Sequence, residues 1–256
     1  MVTISSELLQ TWLIGLLWPL TRILAFISVA PILSHKSIPN RIKLGLGIVL
    51  TLVMVPTFPP IPAFEIFSLQ ALLFLVQQIL IGVAIGFSMR IVFVAIELTG
   101  YMIAMSMGLG FASFFDPQTS GQTTAVSQFL YILAMLVFLS LDGHLLFVTA
   151  LVNSFTVMPI GLDSPTIDAM KIASWGGTIF SSGLLLALPV ITALLITNMA
   201  LGILTKTAPQ LNLFGIGFPI TISIGFLVLT LSLPTMVKPL ERMIEEGASH
   251  MLQVTK

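Results

Sequence analysis

The chain has 256 residues, of which 57% are apolar and 8% charged, with a mean hydropathy of +1.10. Soluble domains carry about 25% charged residues, so this composition excludes a soluble globular protein and indicates an integral membrane protein. Ten basic and ten acidic residues cancel, which excludes the basic surface that a nucleic-acid partner requires. The chain contains no cysteine, and therefore no disulfide or thiolate zinc site.

The apolar segments predict helices, not the strands of a β-barrel. A spanning helix needs about 20 apolar residues, whereas barrel strands alternate apolar and polar residues over about 10. A run such as LLLALPVITALLI (184–196) leaves no polar face. We therefore predict an all-α membrane fold with a C-terminal hairpin that is kinked at Pro189. Long helices are predicted near 8–34, 44–56, 69–97, 123–141, 173–205 and 216–237, and shorter pieces at 98–112, 144–157 and in the C-terminal tail.

Five breaks separate these helices. HKSIPNRIK (35–43) is a basic loop, and PTFPPIPAFE (56–65) has four prolines that no helix can pass through. DPQTSGQTT (116–124) combines Asp-Pro with small polar residues, a loop signal. MPIGLDSP (158–165) is the fourth break, and the fifth, KTAPQLNLFGIGFP (206–219), separates the two helices of the hairpin.

The sequence MGLGFASFFDPQTSGQTT (107–124) combines glycines and phenylalanines between two membrane helices. Irregular backbone at membrane depth is tolerated only when it is buried in protein or lines a cavity. One interpretation is an interfacial re-entrant turn anchored by its phenylalanines. The other is a plug across a pore, in which aromatic rings exclude water and glycines allow movement.

Charged residues inside the predicted helices must face protein or water, because a charge at the bilayer centre costs on the order of 3 kcal/mol or more. Arg22 lies in the first helix. Arg90 and Glu97 share a face of the third helix with Gly82 and Gly86, whose spacing permits close helix packing. Arg90 could alternatively snorkel near a helix end. The residues predicted to pack against neighbouring subunits are Gly82, Gly86, Arg90, Glu97 and Asn198.

No catalytic residue, metal site or cofactor is predicted. Nucleotide-binding, metalloprotease and serine-hydrolase motifs do not occur. Asp142 and His144 are too few to hold a metal on their own, so helix capping or hydrogen bonding is the expected role of this pair.

Seven blocks of sequence in the same order resemble the FliR family, the flagellar type III export-gate membrane subunits, whose injectisome counterpart is SctT. The blocks span nearly the whole chain. They are WPLTRILAFISVAPILS (18–34), IPNRIKLGLGIVLTL (38–52), QQILIGVAIGF (77–87), MGLGFASFFDPQ (107–118), LDGH (141–144), ALPVITALLITNMALGIL (187–204) and APQLNLFGIGFP (208–219).

The resemblance implies a non-enzymatic subunit of the bacterial inner membrane, within the flagellar basal body. One copy would join the sister subunits FliP and FliQ in a channel for unfolded flagellar proteins, with lipid around it and FlhB near the hairpin tip. Residues 1–170 would resemble FliP in fold and residues 171–256 FliQ.

The resemblance also assigns roles to two groups of residues. The plug that closes the channel would comprise Gly108, Leu109, Gly110, Phe111, Phe114, Phe115, Asp116, Pro117, Gln118 and Gly121. The cytoplasmic tip of the hairpin would comprise Lys206, Pro209, Gln210, Leu211 and Asn212. The alternative function is a secondary transporter or small-solute channel, which would require paired interrupted helices and intramembrane acids.

Overall fold

The structure is a computed structural model that describes residues 6–59, 68–111, 124–161, 168–208, 215 and 217–253, with only the backbone described for residues 6–14 and 111. In these residues the regular elements are all helical, and the predicted all-α fold is confirmed. The helices are α1 (Ser6–Val29), α2 (Asn40–Met54), α3 (Leu69–Ser106), α4 (Ala125–Ser140), α5 (Gly143–Val157), α6 (Ala169–Gly176), α7 (Thr178–Thr207) and α8 (Phe218–Gln253).

The first two helices differ in length from the prediction. Helix α1 ends at Val29 instead of continuing to residue 34, because Pro31 follows and Ile32 turns the backbone at φ 70°. A β-branched residue rarely adopts this conformation. Helix α2 begins at Asn40, four residues before the predicted start, and passes at Val55 into a short 3-10 turn.

Helix α3 is one continuous helix of 38 residues. The predicted separate piece at 98–112 is therefore its last part, up to Ser106, followed by a turn and a 3-10 helix at Leu109–Phe111. In its most apolar stretch of 18 residues, about 67% is buried inside the structure. Because protein surrounds so much of α3, the half-buried Glu97 does not interrupt it.

The C-terminal half departs from the prediction at two places. A short helix, α6, precedes α7 and ends at Gly176. Helix α8 runs through Pro234 and Pro239 to Gln253, so the predicted tail piece belongs to the same helix. Buried side chains continue past both prolines at helical spacing (Met236, Leu240, Ile244, Ala248 and Met251).

Four of the described segments are long and apolar enough to cross a membrane, or five if α4 and α5, separated by two residues, count as one broken span. The four segments are Asn40–Thr57, Leu69–Ser106, Ala169–Thr207 and Phe218–Gln253. These lengths agree with the membrane class that the composition predicts.

The chain divides into two compact units that alternate along the sequence. The first unit comprises Met1–Ile91, Asp142–Gly176 and Glu245–Lys256, and the second comprises Val92–Leu141 and Gly177–Ile244. The predicted division at residue 170 concerns resemblance to sister subunits and stays a prediction.

Candidate functional site

The segment predicted as a plug begins where α3 ends, in the second unit. The N–H of Met107 still donates to the Ile103 carbonyl at 2.9 Å, and that of Gly108 donates to the Met105 carbonyl at 3.0 Å. Gly108 then adopts φ +85°, a conformation that L residues disfavour and glycine adopts freely. A glycine at this position therefore ends the helix and turns the chain away from its axis.

Helix α8 holds this end of α3 in place. The side chain of Met107 is fully buried against Gly225, where an added Cβ would come within 2.6 Å of Met107 Cγ. The Thr221 hydroxyl donates to the Met107 carbonyl at 3.3 Å. A Cβ on Gly108 would lie 3.2 Å from the Phe218 ring. The beginning of the segment is thus anchored to the first two turns of α8.

The far end of the segment returns to α3. Thr124 caps α4 by accepting a hydrogen bond from the Ser127 N–H at 3.2 Å. The Ser127 hydroxyl donates to the Glu97 carbonyl at 3.0 Å. Gly100 lets the two helices approach, because an added Cβ would collide with the Ser127 backbone. Both ends of the segment are therefore attached to helices, and the two attachment points are about two to three turns apart along α3.

A cavity of about 400 Å³ adjoins Gly108 in the second unit. Its lining is mostly apolar and includes side chains of α3, α7 and α8. The lining residues are Met105, Ser106, Met107, Gly108, Asn198, Leu201, Gly202, Gly217, Phe218 and Thr221. The structure thus brings Gly108 and Asn198, two residues singled out in the sequence, to one cavity.

The remaining predicted plug residues are described only in part. Leu109 and Gly110 are half-buried in the 3-10 helix, whose last residue is Phe111. Phe114, Phe115, Asp116, Pro117, Gln118 and Gly121 lie outside the described residues. Of the predicted hairpin tip, Lys206 is exposed in the last turn of α7, and Pro209, Gln210, Leu211 and Asn212 lie outside the described residues.

The predicted packing residues fall into both units. In the first, Gly82 and Gly86 of α3 are buried against α1 of the same chain: an added Cβ on Gly86 would lie 3.0 Å from the Ala30 nitrogen and the Phe26 carbonyl oxygen. Arg90 is exposed. In the second unit, Glu97 is half-buried and Asn198 exposed. Whether these residues contact other subunits stays a prediction.

Arg22 forms a buried polar site in the first unit, and it is fully enclosed. Its Nε donates to Gln78 Oε1 at 2.7 Å, its Nη1 to the Ser154 carbonyl at 2.7 Å, and its Nη2 to the Met158 carbonyl at 2.8 Å. The guanidinium lies 4.0 Å from the centre of the Phe155 ring. No carboxylate among the described residues contacts it, so neutral acceptors and an aromatic face stabilise the charge.

The partners of Arg22 were not identified from the sequence. Gln78 is a buried amide inside a long apolar run, and such a residue needs a hydrogen-bonding partner. That signal could have linked it to Arg22, the charge in the neighbouring helix. The Ser154 and Met158 carbonyls give no signal, because every residue has a backbone carbonyl.

The LDGH motif contains a sharp turn. Asp142 adopts φ 55° at the start of α5, and its backbone carbonyl accepts from the Leu145 N–H at 2.8 Å, but its side chain makes no capping hydrogen bond. His144 is exposed. Within the described ranges, no three His, Cys, Asp or Glu side chains are grouped so that they could hold a metal.

Comparison with known proteins gives consistent matches over nearly the whole chain. A family model described as "Bacterial export proteins, family 1" matches residues 13–247. The "Flagellar biosynthetic protein FliR" of Pectobacterium carotovorum subsp. carotovorum is 44% identical over 247 residues, which cover 96% of this chain and 94% of the relative. The protein of the same name from Escherichia coli (strain K12) is 41% identical over 249 residues, covering 96% and 94%. The one from Bacillus subtilis (strain 168) is 29% identical over 212 residues, covering 81% and 82%.

Proposed function

The chain belongs to the bacterial export protein family 1, which includes the flagellar biosynthetic protein FliR, and on this premise we propose that it is the subunit of the flagellar export gate that carries the pore plug. At the coarser level the chain is a membrane protein of the flagellar export apparatus. The finer proposal is a channel for unfolded flagellar proteins in the bacterial inner membrane, built by one copy of this chain with FliP and FliQ.

The proposal treats the chain as non-enzymatic. The relatives are named for flagellar biosynthesis and the family for export, names that describe a structural component of an export apparatus. The same names favour protein export over a transporter of small solutes. The sequence also lacks the acids deep in several helices that a proton or ion relay would need.

The observation that carries the plug proposal is the way in which the segment after α3 is attached. Gly108 turns the chain out of α3, whose end is bonded to Thr221 of α8. After the segment, Ser127 in the first turn of α4 donates a hydrogen bond to the Glu97 carbonyl of α3. A plug requires that the helices on either side of it be held in place, so that opening of the pore does not disturb them, and the described anchors meet this requirement. Aromatic side chains in such a segment would exclude water from a pore.

Two further assignments complete the proposal. The end of α7 at Lys206 leads to the tip of the hairpin, which we place on the cytoplasmic side near FlhB. The division into a FliP-like part (1–170) and a FliQ-like part (171–256) is proposed as a relation of fold. Both assignments rest on the family resemblance.

The plug is tested by replacing Gly110–Phe115 with six residues of serine and glycine in cells that express the whole gate. We expect assembly to continue, because the anchors at Met107 and Thr124 are kept. The membrane should become permeable to ions and small solutes, because the aromatic side chains that exclude water are gone. Uptake of a membrane-impermeant dye, measured alongside the amount of assembled gate, is the readout.

A matched control replaces residues 162–167, a stretch of the same length within the connection between α5 and α6, with the same linker. It should leave permeability unchanged. If both variants assemble and both membranes stay as tight as the parent, the plug assignment is wrong.

The composition of the gate is tested separately by native mass spectrometry of the chain purified in mild detergent from cells that express FliP and FliQ. One copy of this chain bound to several copies of each sister subunit would agree with the proposal. A lone monomer or a homodimer that survives gentle extraction would contradict it.

A further inference from the structure

Helix α2 is a candidate span that hardly contacts the rest of the protein. Only about 17% of the apolar segment Asn40–Thr57, which contains α2, is buried inside the structure. Its contact with α1 is a narrow stripe of Gly47, Thr51 and Met54, and an added Cβ on Gly47 would lie within 2.5 Å of the Leu24 side chain. Large apolar side chains cover most of the remaining circumference. They are Ile42, Leu44, Leu46, Ile48, Val49, Leu52 and Val53.

The loop before α2 and the first turn of α2 carry a set of basic side chains. Lys36, Arg41 and Lys43 lie within eight residues, and the sequence from residue 8 to residue 64 contains no acidic residue. Lys36 and Arg41 are exposed, and within the described part of the chain neither makes a hydrogen bond or an ion pair. At helical spacing, Arg41 lies in one stripe with Gly45, Ile48 and Leu52. This outward stripe faces away from the contact with α1. The two free charges are thus at the loop end of the apolar helix.

The loop that carries Lys36 is held in place by hydrogen bonds. The Lys43 ammonium donates to the Ser34 carbonyl at 3.0 Å, which joins the start of α2 to the end of the preceding turn. The His35 Nδ1 accepts from the Ser37 N–H at 3.2 Å, and the His35 carbonyl accepts from the Ile38 N–H at 3.1 Å. Lys36 is therefore presented by an ordered turn.

We propose that Lys36, Arg41 and the outward face of α2 bind anionic phospholipid, with the phosphate headgroup against the two basic side chains and the acyl chains along the helix. A phospholipid has a charged headgroup at one end and apolar acyl chains along the rest of its length. This segment likewise has basic side chains at one end and apolar side chains along the helix. Basic side chains near a membrane surface attract anionic lipid by Coulomb forces, which salt screens. A protein partner would have to supply acidic groups at one end of an otherwise apolar face.

The charge arm of the test measures phosphatidylglycerol binding to the full chain in mixed micelles, with phosphatidylcholine as the neutral reference. We expect Lys36→Gln and Arg41→Gln to weaken phosphatidylglycerol binding by about fivefold each and about 25-fold together at low salt. Phosphatidylcholine binding should not change. The double variant Lys171→Gln and Lys238→Gln removes the same charge from exposed sites elsewhere and should change phosphatidylglycerol binding less than twofold. An unchanged preference in the first pair would overturn the proposal.

The second arm identifies what covers the apolar face in the assembled gate. Because the chain has no cysteine, Leu52→Cys gives a single spin-label site on the outward stripe. In phosphatidylglycerol bilayers the label should be accessible to oxygen and inaccessible to a water-soluble nickel chelate. A label protected from both reagents would mean that a protein covers this face, and one accessible to both would mean that water does. Either result would overturn the proposal.

Discussion

Arg22 is the buried charge around which the first unit is arranged. Removing a charge from water costs several kcal/mol unless hydrogen bonds replace the solvent, and here Gln78, Ser154 and Met158 supply them. Because these acceptors come from α3, α5 and the turn after α5, one side chain of α1 joins three other parts of the chain. The planar guanidinium suits this role since its donors point in several fixed directions.

The first prediction concerns Arg22→Met and Arg22→Lys. Loss of the guanidinium leaves the Gln78 and Met158 oxygens without this donor, whereas the Ser154 carbonyl still accepts from the Met158 N–H. A buried acceptor without a donor costs about 1 to 3 kcal/mol, so Arg22→Met should lower the free energy of unfolding by about 3 kcal/mol. Arg22→Lys should be almost as destabilising, because one ammonium cannot reach all three groups. Unfolding of the purified chain in detergent measures both. Full stability of Arg22→Lys would show that the charge alone matters.

Gly108 shows a different residue-scale effect, that of backbone conformation. Gly108→Ala should destabilise the chain by about 1 kcal/mol or more, because alanine is strained at φ +85°. Gly202→Ala is the matched control in the same cavity: nothing lies within 4 Å of its added Cβ. Since it is inside α7, alanine there should stabilise by about 0.5 to 1 kcal/mol. Opposite signs in thermal unfolding are expected, and equal shifts would contradict the assigned conformation.

At the scale of elements, α3 organises both units, and small residues let its neighbours approach. Gly82 and Gly86 allow α1 to pack closely against α3, whereas Gly100 allows α4 to pack closely at Ser127. In the second unit, the Thr99 hydroxyl donates to the Gly183 carbonyl of α7 at 3.0 Å. Close approach of this kind strengthens helix packing where the surrounding lipid is as apolar as the side chains.

Gly86→Leu tests this packing in the chain alone, before any partner binds. The leucine would collide with the backbone of Phe26 in α1 and of Ala30 just after it, and overpacking of this kind costs about 1 to 3 kcal/mol or more. We expect a lower yield and a lower unfolding temperature for the purified chain. Gly45→Leu, where an added Cβ meets nothing within 4 Å, should behave like the parent. A stable Gly86→Leu chain that fails only to assemble would instead place this face between subunits.

At the scale of the whole molecule, the first unit is completed by the last residues of the chain. Residues 245–253 belong to it. There the His250 ring stacks on Trp175 at 3.9 Å, and the Trp175 indole N–H donates to the Ser88 carbonyl of α3 at 2.9 Å. Ala248 and Met251 are buried in the same turn region. The first unit therefore depends on the last turns of α8 for part of its packing.

Truncation after Ile244 should consequently loosen the first unit and leave the second largely intact. We expect faster amide hydrogen exchange in residues 68–91 and 143–158, because the buried contacts of the C-terminal turns are lost. Exchange in residues 178–207 should change little. Truncation after Gln253 removes only three residues and serves as the control. Equal loss of protection in both units would mean that they unfold together.

The sequence by itself determined the class of the protein and most of its helices. Twenty charged side chains cannot cover a soluble protein of 256 residues, and apolar runs of spanning length leave helices as the only suitable structure. The ordered motifs also indicated the family. These properties depend on composition and on neighbours along the chain, which the sequence contains in full.

Only the tertiary structure decided where helices continue and which polar groups meet. Helix α8 passes Pro234 and Pro239, and α3 passes Glu97, because packing against other elements outweighs a local break. Arg22 meets Gln78 across 56 positions and Ser154 across 132, a pairing that no local pattern encodes. The burial of Gly82 and Gly86 against α1 was likewise decided by the fold, since small residues permit close contact without specifying the partner.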